Sequence, residues 1–178
     1  MADDMFKQIP ATIDVDRLMS EIEMILRMTA WHPADSQIAL QYRLGDEDNP
    51  WHSGTGTIGE WQGSVWVPYF DERDFNILNP ALHGTYFQEV LASMPFTAVR
   101  SRLMKMPPKK CYSIHVDETN RYHVAIQTNY HARFIFTEAE RIFHIPADGN
   151  IYWVDTLQEH TAINGGKDDR IHLVMLPA

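Results

Sequence analysis

The chain has one cysteine, Cys111, in 178 residues, so it can form neither an internal disulfide nor a cysteine-based zinc cage. Basic residues are also scarce. Lys and Arg number 15 against 24 Asp and Glu, giving a formal charge of −9 and a pI near 5.4. That balance excludes a general nucleic-acid or anionic-membrane binder. No apolar run approaches the roughly 18 residues of a membrane span. The opening Met-Ala-Asp-Asp-Met-Phe-Lys-Gln lacks the basic and apolar regions of a signal peptide. The expectation is a cytoplasmic protein with no nucleic-acid or membrane partner. No repeat, linker or low-complexity stretch interrupts the sequence. What is there is 44% hydrophobic and 11% aromatic, the composition of a compact globular protein, and the length suits a single domain over residues 1–178.

The hydrophobic pattern changes character along the chain. Asp14 caps an expected helix to about Met28, with Leu18, Ile22, Ile25 and Leu26 at amphipathic spacing. Ser36 to Leu44 alternates as a strand. Residues 45–63, with five Gly, Trp51, His52 and Trp61, form either a lid over a site or a surface loop anchored by its two Trp. Ser64 to Tyr69 is a short strand, and Asn79-Pro80 opens a second helix to about Ser93. Short strands follow at about 96–105, 111–117, 121–128, 133–136, 140–145, 150–154, 158–163 and 170–175, with turns at Pro107-Pro108, Thr119-Asn120, Ala147 to Asn150 and Asn164 to Gly166. Residues 1–94 thus read as helical support with outer strands, and 95–178 as one half of an antiparallel sandwich or barrel. The basic cluster Arg100, Arg102, Lys105, Lys109 and Lys110 reads as a solvated strand edge, and Cys111 as a small buried packing residue.

The stretch from Cys111 to Thr128 carries the chemistry. In a regular strand His115 and Asp117 share a face, as do Arg121, His123, Ala125 and Gln127 in the next run. With 9 His and 24 acids in the chain, about one His-x-acid pair is expected by chance, so context decides its value. That context is a later imidazole, His160, and an arginine ten residues beyond it, Arg170. Two imidazoles and a carboxylate form the face that holds Fe(II) and leaves positions open. A hairpin turning about Gly165 would make His160 and Arg170 cross-strand neighbours, and a guanidinium there would bind a carboxylate bidentately. 2-Oxoglutarate has the matching shape: a chelating end and a distal carboxylate. His172, His144, His83 and His32 read as structural, Asp155 and Asn164 as turn residues, and the strand 151–155 as core. Tyr112 falls on the face opposite His115 in a regular strand.

His115-x-Asp117, His160 and Arg170 together resemble the Fe(II)/2-oxoglutarate oxygenase superfamily. The phrases His-Val-Asp-Glu-Thr-Asn-Arg-Tyr-His-Val-Ala-Ile-Gln-Thr-Asn and Asp-Thr-Leu-Gln-Glu-His-Thr-Ala-Ile-Asn are similar to the aspartyl/asparaginyl β-hydroxylase family, which includes proline hydroxylases. The likeness covers about residues 95–176. It implies a mainly β fold with supporting helices around a double-stranded β-helix (jelly roll, cupin-like) core. By the resemblance His115, Asp117 and His160 bind Fe(II), and Arg170 holds the 5-carboxylate of 2-oxoglutarate. Arg121 takes a substrate carboxylate and His123 contacts 2-oxoglutarate. O₂ and 2-oxoglutarate would then be consumed as an amino acid, free or within a protein, is hydroxylated. Asp117 places the chain on the proline-hydroxylase side, because some β-hydroxylases lack the acidic ligand.

Three other readings compete. A cupin-type dioxygenase or isomerase not using 2-oxoglutarate would have no need of Arg170. A non-catalytic binding barrel would have no reason to keep three ligand types. A purely structural sandwich would bury Asp117 and Arg170 as unpaired charges, at a cost of several kcal/mol. The sequence leaves open the substrate and the oligomeric state.

Overall fold

The computed structural model describes residues 4–178; the first three residues of the opening octapeptide lie outside them. In chain order the strands are β1 (Phe6–Ile9), β2 (Gln37–Ala39), β3 (Gln41–Tyr42), β4 (Gly59–Gln62), β5 (Val65–Pro68), β6 (Ile77–Leu78) and β7 (Ala98–Met106). They continue as β8 (Lys110–Cys111), β9 (Arg121–Gln127), β10 (Ala132–Phe136), β11 (Arg141–Phe143), β12 (Ile151–Val154), β13 (His160–Asn164) and β14 (Arg170–Pro177). The α-helices are α1 (Val15–Ile25) and α2 (Tyr86–Ala92). Contacts group these elements into two compact units, residues 4–20 with Met104–Val174, and Glu21–Leu103 with Met175–Ala178.

The first unit is built on two sheets. One runs β1-β12-β9-β14, with the last residues of β7 beside β14; the other runs β11-β10-β13-β8. From β7 onward the chain passes back and forth between them, and this winding is that of a double-stranded β-helix. The period-2 pattern decides which side chains fill the space between the sheets. In β10 Ala132, Phe134 and Phe136 are buried while Arg133 and Ile135 are half-buried, and β13 alternates in the same way. Met106, Ala125, Phe134, Phe136, Ile145, Tyr152, Val154 and Ala162 form one core drawn from both sheets. Asn164, fully buried, donates to the Met106 and Asp168 carbonyls (2.9 and 2.8 Å) and accepts from Gly166 and Asn129, tying the end of β13 in place. This is the turn role expected of it.

The helices are shorter than the pattern suggested. Asp14 caps α1, its Oδ1 accepting from the Arg17 N–H at 2.9 Å. Leu18, Ile22 and Ile25 are buried, but Leu26 lies beyond the helix end and is 40% exposed. The expected helix from Asn79 breaks in two. Asn79 caps a single 3₁₀ turn (Pro80–Leu82), Gly84 then takes the left-handed φ of +76°, and Thr85 caps α2 afresh.

In the second unit the 36–44 strand is interrupted at Leu40 into β2 and β3. The stretch 45–63 ends in a hairpin, β4 against β5, turning through Gly63. Trp61, one of the expected anchors, is 68% exposed on that hairpin. The loop is fastened instead by Arg100, which the sequence placed on a solvated edge. Arg100 and Arg102 are both buried, Arg100 under carbonyls of the loop and Arg102 against Gln37 of β2. Arg100 donates to the Gly54 and Gly56 carbonyls at 3.0 and 2.8 Å and pairs with buried Glu72. Arg102 donates to Gln37 Oε1 at 3.1 Å, the same oxygen that receives the Gly56 N–H. These bonds, with the Arg100 N–H to the Phe75 carbonyl at 2.7 Å, hold Arg100 at a φ of +46°. Glu72→Gln is expected to leave the guanidinium buried without its counter-charge and to cost roughly 3–5 kcal/mol of stability, read by chemical denaturation. A loss under about 1 kcal/mol would show the pair to be dispensable.

Candidate metal centre

One irregularity brings the site together. Ile163 of β13 is opposite Cys111, and further along His160 is opposite His115 in an isolated bridge. From Cys111 to His115 is four residue steps, and from Ile163 to His160 only three. The 111–115 side therefore carries one extra residue, a β-bulge, which reverses the alternation of side chains across it. The expected strand 111–117 is accordingly only β8 plus the bridge. Cys111 is exposed and not a packing residue, and Tyr112 turns inward against the core cluster. Both results depart from a regular-strand reading for this one reason.

Beyond the bulge the backbone is held firmly. His115 and His160 exchange N–H···O bonds of 3.0 and 2.9 Å, and the Asp117 N–H reaches the Thr156 carbonyl at 2.9 Å. The two imidazole rings lie 4.4 Å apart between centroids, tilted by 51°. Asp117 Oδ1 lies 3.7 Å from His115 Nε2, and its Oδ2 lies 3.9 Å from His160 Nε2. One ligand atom from each residue falls within 4.8 Å of the others.

The hydrogen bonds also set the tautomers. His115 Nδ1 is 2.7 Å from the Ser113 carbonyl, and His160 Nδ1 is 2.8 Å from the Gln158 carbonyl. A nitrogen facing a carbonyl oxygen must donate, so the lone pair of each neutral ring is on Nε2, directed at the shared space. Burial lowers the His160 pKa, against the raising effects of the Gln158 carbonyl and Asp117, and this favours the neutral form that binds metal. Donors around one ion at about 2.1 Å stand roughly 3 Å apart, so a bound ion draws these three slightly inward. The set fits a divalent metal with an open face.

The other expected site residues fall in two places. Arg121 opens β9 and turns toward the triad: its Nε is 3.1 Å from Asp117 Oδ2, and an Nη1 donates to Thr119 Oγ1. Arg170 is not the cross-strand neighbour of His160. β13 pairs with β10 and β8, whereas β14 lies in the other sheet, so the expected hairpin pairing about Gly165 does not form. Arg170 instead helps line a cleft with Thr128, Ala132, Arg133, Phe134, Ile145 and His172, whose empty space, open mouth included, is about 170 Å³. Phe134 links the two places, stacking on the His160 ring at 5.0 Å and 17°. His123 meets Phe134 and His172 edge-on, at 6.0 and 5.7 Å.

The cleft is rich in buried donors. Arg170 donates to His172 Nδ1 at 3.0 Å, so the His172 proton is on Nε2. That Nε2 and Thr128 Oγ1 are buried with no hydrogen-bond partner. Burial pushes the Arg170 pKa down, and Tyr112 lies near enough to act on it in the opposite sense. His172 is held well below the usual histidine pKa by burial and by the Arg170 charge. Tyr112, Phe134 and Thr128 escaped the sequence reading. The first was hidden by the bulge, and the others carry no spacing signal.

No family model and no curated protein matches this chain. Solved structures do. A 2OG-Fe(II) oxygenase family oxidoreductase from Burkholderia pseudomallei aligns at TM-score 0.52 and 16% identity, over 96% of this chain and 82% of its own. The viral collagen prolyl hydroxylase of Paramecium bursaria Chlorella virus-1, solved as a 2OG complex, aligns at 0.50 and 9%, over 97% and 95%. A Pseudomonas putida prolyl-4-hydroxylase aligns at 0.50 and 10%, over 97% and 91%. At these identities the likeness is one of fold, and it agrees with the mainly β, double-stranded β-helix class. No helix among the described residues is long and apolar enough to cross a membrane.

His160→Ala is expected to abolish Fe(II) uptake in anaerobic equilibrium dialysis, since two donors hold Fe(II) weakly in water. Full retention would remove His160 from the site. For His172 the sign of the pH effect follows from its lowered pKa. The unfolded chain binds its proton more readily, so its contribution to stability is complete above about pH 6.5 and declines as pH falls below that. Ring ¹⁵N shifts of His172 are expected to stay those of the Nε2–H tautomer from neutral pH down through its ordinary pKa. A titration near 6.5 would contradict the burial argument.

Proposed function

We propose that this chain is an Fe(II)- and 2-oxoglutarate-dependent dioxygenase that hydroxylates an amino acid or an amino-acid side chain in a protein. The observation that carries this is the pairing of a metal-type triad with a cleft of unsatisfied donors, joined by one aromatic wall. Two chemistries are required of one ligand, chelation at one end and anion recognition at the other. Arg170, His172 and Thr128 line one cleft, and donors of this kind suit a carboxylate. A cupin-type enzyme without 2-oxoglutarate leaves those donors without a purpose.

When bound, iron and 2-oxoglutarate supply the oxidation: a substrate C–H, O₂ and 2-oxoglutarate become C–OH, succinate and CO₂. The protein's residues do the rest. His115, Asp117 and His160 would hold the metal on one face, with the Ser113 and Gln158 carbonyls locking both rings. Arg170 would fix the distal carboxylate, and His123, packed between Phe134 and His172, would form the wall along the cosubstrate. Phe134 would keep water from the space between metal and clamp. The sequence likeness to aspartyl/asparaginyl β-hydroxylases, and the prolyl hydroxylases among the structural neighbours, support hydroxylation of an amino-acid carbon.

Anaerobic titration of the Fe(II)-loaded protein with 2-oxoglutarate tests this. A weak visible charge-transfer band is expected with the unaltered chain. Arg170→Ala should leave iron uptake intact and weaken 2-oxoglutarate binding by roughly two orders of magnitude or more, the scale of a lost buried charge-assisted pair. Iron bound without a band would favour the cupin-type chemistry.

A further inference from the structure

We infer that the outer face of the β11-β10-β13-β8 sheet is where two copies of this chain pair. The alternation of the strands defines that face. Ala132, Phe134 and Phe136 of β10 turn inward and are buried, as do His160, Ala162 and Asn164 of β13. Arg133, Ile135, Thr161 and Ile163 therefore turn outward. Register sets Ile142 of β11 beside Ile135, on the same side. Three isoleucines and a threonine thus stand together, half-buried except for Ile142, which is 62% exposed. An aliphatic centre of this kind on an outward sheet face is the first mark of a docking surface.

The charges around that centre say what covers it. Two residues to one side of Ile135 is Arg133. Two residues to the other is Thr137, whose N–H bonds the Glu159 carbonyl on β13 and whose carbonyl receives the Glu140 N–H across the hairpin. Glu159 and Glu140 stand two residues before Thr161 and Ile142, and so share their outward parity. Arg133 lies over the Tyr130 ring at 4.2 Å, and among the described residues neither Arg133 nor Glu140 is in an ion pair. The face thus carries a cation at one end and carboxylates at the other, at equal distances from the Ile142-Ile135-Thr161 row. A two-fold axis lying between two such faces, across the strands at that row, sets each isoleucine of the row against its own copy. It also brings Arg133 of each protomer between the partner's Glu140 and Glu159.

Stacking the same faces without that reversal lays Arg133 on Arg133 and glutamate on glutamate. Each copy also carries a formal charge of −9, so two copies repel unless opposite charges meet locally. The face is four strands wide, roughly 19 Å, and about 17 Å long. That is smaller than the roughly 800 Å² per partner of a standard interface, so the dimer is a weak one that forms with rising concentration. His160 and Phe134 are on the inner side of the same strands, and pairing leaves them in place.

Sedimentation equilibrium of the full chain, from about 10 μM to about 1 mM, tests this. The apparent mass is expected to rise from 20.6 kDa toward twice that value. Ile142→Asp sets two carboxylates together at the centre of the face and should weaken association at least roughly tenfold. Arg133→Glu and Glu140→Arg should each weaken it roughly tenfold. The two combined should recover most of the loss, because the exchanged charges meet again across the axis. Far-UV circular dichroism of each variant is expected to match that of the unaltered chain. Should one fail to fold, the mass of the unaltered chain and the remaining variants still decide. A constant monomer mass over the whole range overturns the inference. So does a dimer that Ile142→Asp leaves unchanged, or a charge exchange that recovers nothing.

Discussion

The mutual backbone bonds between His115 and His160 are what the site depends on. They fix two imidazoles side by side across one rung of a ladder, their rings 4.4 Å apart and tilted by 51°. Because each ring is also pinned through Nδ1 by the carbonyl two residues before it, neither needs a distant partner to orient it. Asp117 enters two residues later through its N–H on the Thr156 carbonyl, and Arg121 then steers its carboxylate. The whole first half of the site thus lies on one short, irregular crossing between two edges. Precision there comes from backbone geometry, which is stiffer than side-chain packing.

Much of this was legible in the sequence, for identifiable reasons. The alternating runs from 95 onward gave eight strands near their observed positions, because period-2 hydrophobicity reports a half-buried strand directly. Asp14, Asn79 and Asn164 announced their caps and turns by residue type. The three residues that come together were found from a His-x-acid pair on one strand and a later imidazole, a combination that the pair alone, expected about once by chance, does not carry. The pairing of His160 with Arg170 was not legible: a Gly-Gly turn suggests a hairpin, but a winding fold sends successive strands to opposite sheets, and local sequence does not record that choice. The bulge at 112–114 was hidden for a related reason. One inserted residue leaves composition unchanged while inverting which side chains face inward, so Tyr112 and Cys111 exchanged roles.

The arginines show how burial of charge organises both units. Arg100 looked like a surface residue by its neighbours, yet two glycine carbonyls and Glu72 enclose it, and the long loop 45–63 is fixed through it. Arg121 is enclosed by a carboxylate and a hydroxyl. Arg170 differs from both, since it donates to a neutral imidazole. Sequence spacing finds such residues but does not tell a charge answered by the protein from one kept for a ligand.

That difference has a consequence for the protein's persistence in a cell. A fold that buries donors without acceptors gives up part of its stability until something fills the cleft. A dicarboxylate that binds only the folded chain returns it, by an amount that grows with the logarithm of its concentration over its dissociation constant. On the proposed function that ligand is 2-oxoglutarate, and the fraction of chains exposed to proteases would then fall as its concentration rises.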